Sequence, residues 1–310
     1  MPPSSSAYTP WDNVPHILAK ILCGLTLCLL FVGAMVTSTN SGLSVPDWPT
    51  TFGHNMYAFP LSGMKGGIFY EHGHRLFASA IGILTILLVI AMWIWESRRW
   101  VRWLTLTALL LVCLQGLLGG LTVRYKLPVS ISSAHAGLAE LFFCSMIWLT
   151  AATSADWKKK PVWRKNGIAV SSLLLTALVY VQIIVGAVMR HSYAGLAIPT
   201  FPRAFGDWVP SFWSQGIAWN FAHTRVGALI ITIGCLLLVT SMLRQGGWKT
   251  KFAVALFMIL AGQVTLGILT VWTGKVPWVA SLHLAVGALL LGTLFTIGLW
   301  SGKEQTGAGI

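Results

Sequence analysis

Four of the eight histidines in this sequence stand at matched places in two halves of the chain: His74 with His223, and His135 with His283. Within a half the two are 61 residues apart in the first and 60 in the second. Each opens an apolar run long enough to cross a bilayer, where an ionisable side chain is costly unless it faces the bundle interior and serves a function. Neutral imidazole is a good iron ligand, and two imidazoles on facing helices can grip a haem from both sides. Zinc fits less well, because no third or fourth Cys, His or carboxylate accompanies either pair. A lone membrane histidine ordinarily makes a helix–helix hydrogen bond; four at repeated positions point to axial ligation.

The two halves differ in what surrounds these pairs. Glu71 precedes His74 by three residues, on the same helix face, whereas Asn220 holds that place before His223. A carboxylate beside one site and an amide beside the other is the pattern of a catalytic and a relay site. Glu71 can act as a base or stabilise positive charge, or else cap the span or pair with Arg75. Arg75 and Arg225 follow their histidines and suit haem propionates, with snorkelling to the interface as the alternative. Glu140 lies five residues past His135, turned from the histidine face, with Ala288 as its counterpart; it is a proton-path or hydrogen-bonding group. His191, whose counterpart is Ser38, is a candidate substrate-side contact, His72 points to another face, and His16 and His54 read as loop residues.

The elements that must position these groups are membrane helices. Of the 310 residues 55% are hydrophobic and only 9% charged, against about 25% charged in soluble domains. Apolar runs of roughly 20 residues recur, with predicted spans at 17–38, 70–95, 103–123, 131–153, 167–190, 217–243, 252–272 and 279–300. They show no period-2 alternation, which argues against a β-barrel. The formal charge of +13 sits in alternate loops: Arg98, Arg99 and Arg102; Lys158, Lys159, Lys160, Arg164 and Lys165; Arg244, Lys249 and Lys251. That is a topology signal rather than a nucleic-acid surface, and it places these loops and both termini in the cytoplasm. No basic stretch precedes the first apolar run, so no cleaved signal peptide is expected. The five cysteines all fall within spans and read as small buried apolar residues.

The chain also repeats itself. "GAMVTSTNSGLSVPDWPTTFG" (33–53) aligns without gaps on "GAVMRHSYAGLAIPTFPRAFG" (186–206) at eight of 21 positions, and "QGLLGGLTV" (115–123) on "QVTLGILTV" (263–271) at six of nine. Four spans per half make the repeats parallel, so the expected fold is all-α, with eight transmembrane helices in two pseudosymmetric four-helix bundles. The expected units are 1–153 and 167–310, joined by a cytoplasmic linker at 154–166. The long outer loops after the first and fifth spans are candidate lids or binding loops.

The first-half loop "GLSVPDWPTTFG", the "EHGHR" start of the second span, "SSAHAGLAE", "FAHTR" and "SLHLAVG" together resemble the haem A synthase family, over residues 15 to 300. The resemblance implies conversion of haem O to haem A for cytochrome oxidase assembly, by stepwise oxidation of the C8 methyl to a formyl group. It implies a resident haem b on His223 and His283, substrate haem on His74 and His135, and Glu71 as the catalytic carboxylate. It further implies a bacterial inner membrane, a haem-O-making farnesyltransferase as neighbour, and an electron acceptor. Some members carry cysteine pairs in the outer loops; loops 39–69 and 191–216 here contain none, so no thiol-based step is expected. The competing readings are a bis-histidine b-type cytochrome that only passes electrons, and a haem carrier.

Overall fold

The computed structural model describes residues 13–159 and 165–303. The termini, and Lys160, Trp163 and Arg164 of the basic linker, lie outside the described residues. Among the described residues, eight helices are long and apolar enough to cross a membrane: α1 (Val14–Ser38), α2 (Gly67–Trp95), α3 (Arg99–Arg124), α4 (Val129–Thr153), α5 (Gly167–His191), α6 (Gln215–Gln245), α7 (Trp248–Trp272) and α8 (Pro277–Gly302). The chain is a multi-pass integral membrane protein. Local chemistry sets several starts. Prolines occupy the first turns of α1 and α8, where their missing N–H costs nothing. The Asn166 side chain accepts the Ala169 N–H at 2.9 Å, and the Ser214 hydroxyl accepts that of Ile217 at 3.2 Å, as N-caps do.

Every expected span is present, and α3 and α7 begin four residues earlier than predicted. Arg99 with Trp100, and Trp248 with Lys249, extend these helices past the apolar run as interfacial residues do. His16, read from sequence as a loop residue, is on α1: Pro15 starts the helix before the apolar run, and His16 Nδ1 bonds the Thr153 hydroxyl at 3.0 Å.

Packing closes α1–α2–α3–α4 in one ring and α5–α6–α7–α8 in another, while α1 against α8, α4 against α5 and α4 against α8 join the rings. The joining helices α4 and α8 are 56% and 50% buried over their most apolar stretch, against 17–28% for the other six, so they form the middle of the molecule. Their small residues permit this, as close helix packing in lipid requires. A methyl on Gly292 would lie 2.7 Å from Ile147, and one on Gly137 2.4 Å from Ile184.

The outer loops repeat at backbone level. Thr51 pairs with His54, and Ala204 with Asp207, in isolated bridges. Each bridge closes over a residue of positive φ and a glycine: Phe52 and Gly53 in one, Phe205 and Gly206 in the other. In the first loop the Asp47 carboxylate accepts N–H bonds from Phe52 and Gly53 at 2.8 and 2.9 Å, as well as the Thr50 hydroxyl.

Candidate functional site

Each of the four repeated histidines rests on a glycine of the helix beside it. A methyl on Gly33 (α1) would fall 3.0 Å from His74 Cε1, and one on Gly119 (α3) 3.2 Å from His135 Cε1. In the second half the same test gives 2.6 Å from Gly186 (α5) to His223 and 3.0 Å from Gly267 (α7) to His283. These glycines let the imidazoles lie against a neighbouring helix backbone, where a side chain would push them away.

The backbone orients the rings. His223 Nδ1 is 3.1 Å from the Gln182 carbonyl oxygen, and His283 Nδ1 is 3.1 Å from that of Gln263. A carbonyl oxygen can only accept, so each Nδ1 carries the proton and each Nε2 presents a free lone pair. This is the second-sphere arrangement of metal-bound histidine. The two ring centroids lie 6.3 Å apart with their planes at 85°. Two imidazoles on one metal with bonds of about 2 Å would place their centroids about 6 Å apart, so this pair fits an iron between them. The π-helical stretch Ala222–Gly227 carries His223 within α6, and such bulges gather at functional sites.

In the first half, His74 Nδ1 and His135 Nδ1 are buried without hydrogen bonds. The Gln115 amide does reach the same helix turn, donating to the His135 carbonyl at 2.9 Å. All four histidines are half-buried.

Glu71 is 4% exposed and accepts two hydrogen bonds, from the Val45 N–H at 2.8 Å and from Arg75 Nη2 at 2.7 Å. Arg75 also donates to the carbonyls of Val45, Asp47 and Thr50 at 2.8, 2.7 and 3.2 Å. Both of its terminal nitrogens are thus engaged, and a propionate would have to displace the loop. Trp48 of that loop lies on α3, where a methyl on Gly120 would fall 2.4 Å from its ring. Arg225 similarly donates to the Asn220 amide oxygen, the Thr224 hydroxyl and the carbonyls of Thr200 and Arg203, while its Nε is buried without a partner.

Asn220 occupies Glu71's place with reversed polarity. Its Nδ2 donates to the carbonyls of Ala194 and Gly195, each at 3.0 Å. Both residues therefore tie an outer loop to the histidine helix, and only the first brings a carboxylate.

The remaining candidates fall elsewhere. His72 is 1% exposed, bonds the Thr51 hydroxyl at 3.1 Å and packs on Phe59. His54 is in the exposed loop. Glu140 is 2% exposed with Oε2 unpartnered. His191 ends α5, half-buried.

Sequence reasoning passed over two sets of residues. Arg190 donates to the Ala34 carbonyl at 2.8 Å and to the Ser38 hydroxyl, which meets Ser281 at 2.9 Å, so one cation stitches the halves together at their outer end. Gln115, Gln182 and Gln263 each stand four residues before a supporting glycine. That Gln-x-x-x-Gly spacing was visible within the repeat, which matches Gln115 to Gln263 and Gly119 to Gly267.

Residues 16–295 match the family model described as COX15-CtaA, cytochrome oxidase assembly protein. Among similar proteins, the "Heme A synthase" of Shouchella clausii is 30% identical over 285 residues, covering 87% of this chain and 90% of its own. That of Halalkalibacterium halodurans is 27% identical over 291 residues, covering 90% of this chain and 95% of its own. That of Rhizorhabdus wittichii is 28% identical over 336 residues, covering 93% and 94%. With a family match spanning nearly the whole chain and the histidine positions inside it, this protein belongs to the COX15-CtaA family of cytochrome oxidase assembly proteins.

Proposed function

We propose that this chain is a haem A synthase, an oxidoreductase that converts the C8 methyl of bound haem O to the formyl group of haem A. The full-length similarity to proteins of that name supports the activity. One observation carries the division of labour: a carboxylate, Glu71, stands one turn from His74, and an uncharged amide, Asn220, one turn from His223.

In this reading His223 and His283 hold a resident haem b within residues 167–310. Their Nδ1–H···O=C bonds and ring spacing supply the support such a group needs. When bound, that haem supplies a one-electron relay. His74 and His135 hold the substrate within residues 1–153, and residues 154–166 are the linker. Oxidising a methyl to a formyl group adds one oxygen atom and removes four electrons, with release of four protons when the oxygen comes from water, so the site needs an oxygen donor and an acceptor for electrons and protons.

Glu71 is the proton acceptor, or the negative charge that stabilises a cationic carbon, and it is aimed by Arg75 and the Val45 N–H. Arg75 and Arg225 shape the roofs of the two sites by holding the outer loops, and they trade loop carbonyls for propionates when haem is bound. Trp48 closes the first site from the outer side. The charge of the basic loops supports termini in the cytoplasm of a bacterial cell and histidines near the outer face of its inner membrane. A farnesyltransferase supplies haem O, and a separate acceptor takes the electrons.

The test is expression in cells that make haem O and lack haem A synthesis. Haem A in extracts of those cells is the expected result; haem O alone overturns the reading.

A further inference from the structure

The four histidine–glycine contacts are not equal. In a helix the carbonyl of residue i bonds the N–H of residue i+4 and keeps a second lone pair. Where residue i+4 is glycine, no side chain covers that lone pair. In α5 and α7 these pairs are Gln182 with Gly186 and Gln263 with Gly267, and the exposed carbonyls receive the Nδ1–H of His223 and His283 at 3.1 Å.

In α5 the glutamine side chain completes the rung, whereas in α7 Gln263 Oε1 is buried without a partner. Gln182 Nε2 donates back to the His223 carbonyl at 2.6 Å, so backbone and side chain bind reciprocally. Gln182 also lies against Gly227, where a methyl would fall 2.0 Å from its Oε1. In α3, Gln115 makes the same side-chain bond to the His135 carbonyl at 2.9 Å, yet His135 Nδ1 is buried without a hydrogen bond. In α1 the residue four before Gly33 is Leu29, which has no amide to donate, and His74 Nδ1 is buried with no partner at all.

We propose that the carbonyl–glycine rung fixes the imidazoles of His223 and His283, and that His74, whose Nδ1 has no such anchor and whose rung carries Leu29 in place of glutamine, is the ligand that releases iron as haem enters and leaves. An imidazole anchored at Nδ1 keeps its Nε2 aimed at the metal; one without an anchor turns away at little cost. The break falls in the half that must exchange its haem. The identity of that haem rests on the haem A reading, whereas the order of release rests on the rungs alone.

The test is haem transfer from the purified full-length protein in detergent to excess apomyoglobin. Two phases are expected, and His283→Ala identifies the slow one by removing it. Leu29→Gln slows the fast phase, and Gln182→Met, which keeps side-chain bulk but loses the N–H donor, speeds the slow phase. Each change is about 10-fold, the usual scale for a second-sphere partner. The low-spin spectrum of the resident haem shifts in Gln182→Met, and Gln182→Asn, which keeps the amide, restores part of the slow phase.

Unchanged rates in Leu29→Gln overturn the proposal, as do unchanged rates in Gln182→Met. If one variant fails to accumulate, the other decides alone. Two b haems with the predicted order of release would contradict haem A synthesis and leave the rung standing; haem A formed with equal release rates would do the reverse.

Discussion

Glu71 and Val45 are joined by a 2.8 Å hydrogen bond in which the outer loop's N–H donates to the carboxylate. The bond binds the start of α2 to the loop that follows α1, so the carboxylate proposed to do the chemistry also holds the loop above it. Arg75 completes the arrangement one turn on, at 2.7 Å from the other carboxylate oxygen.

Glu71→Gln removes the charge and keeps the size. Formation of haem A falls by about 100-fold or more, the scale of a lost acid–base group, while haem b content stays at the wild-type level. Extraction and chromatography of the bound haems check this. A protein that only passed electrons would be unaffected.

Arg75→Met leaves the buried Glu71 carboxylate without its cation and releases three loop carbonyls. Breaking a buried pair from one side costs about 3–5 kcal/mol, so the melting temperature falls and protease cuts the loop at 44–53 sooner. Arg75→Lys recovers part of this, since one ammonium cannot span all four acceptors. Equal melting of Arg75→Met and wild type would contradict the clamp.

Gly186→Ala sets a methyl 2.6 Å from His223 Cε1, whereas a methyl on Gly24 of α1 meets nothing within 4 Å. The first variant loses resident haem and its low-spin spectrum; the second keeps both. Absorption spectra at equal protein concentration decide between them.

Burial alone would raise the Asp47 carboxyl, but the Gly53 N–H, the Thr50 hydroxyl and the Phe52 N–H outweigh it and hold it at about 2. A depressed folded value means that the loop's stabilisation is complete above the ordinary carboxylate value of 3.8 and disappears as pH falls through about 2. Loop protection from protease is therefore flat from neutral pH down to the ordinary value and declines below it. Asp47→Asn, in contrast, loosens the loop at every pH.

The spans and the four histidines were legible because apolar length and repeat spacing are properties of the chain itself. His16 was misplaced because proline at a helix start extends the helix beyond the hydrophobic run, and hydropathy does not register that. Arg75 and Arg225 could be placed next to the histidines, but their loop-carbonyl partners lie 25 to 30 residues back from Arg75 and 22 to 25 back from Arg225, and only the tertiary fold brings them together. Two of the glutamine rungs, at Gln115 and Gln263, were present in the repeat as identities. Their meaning depends on which helix packs beside which, and one sequence does not say that.

The account rests on iron held between imidazoles, once in each half. The most direct measurement is the haem extracted from pure protein made in cells that supply haem O, compared with His74→Ala and His283→Ala. The account predicts haem b together with haem O or haem A in the wild type, selective loss of haem b in His283→Ala, and selective loss of haem O and haem A in His74→Ala. A colourless wild type, or the same haems in the same amounts in all three proteins, would contradict it.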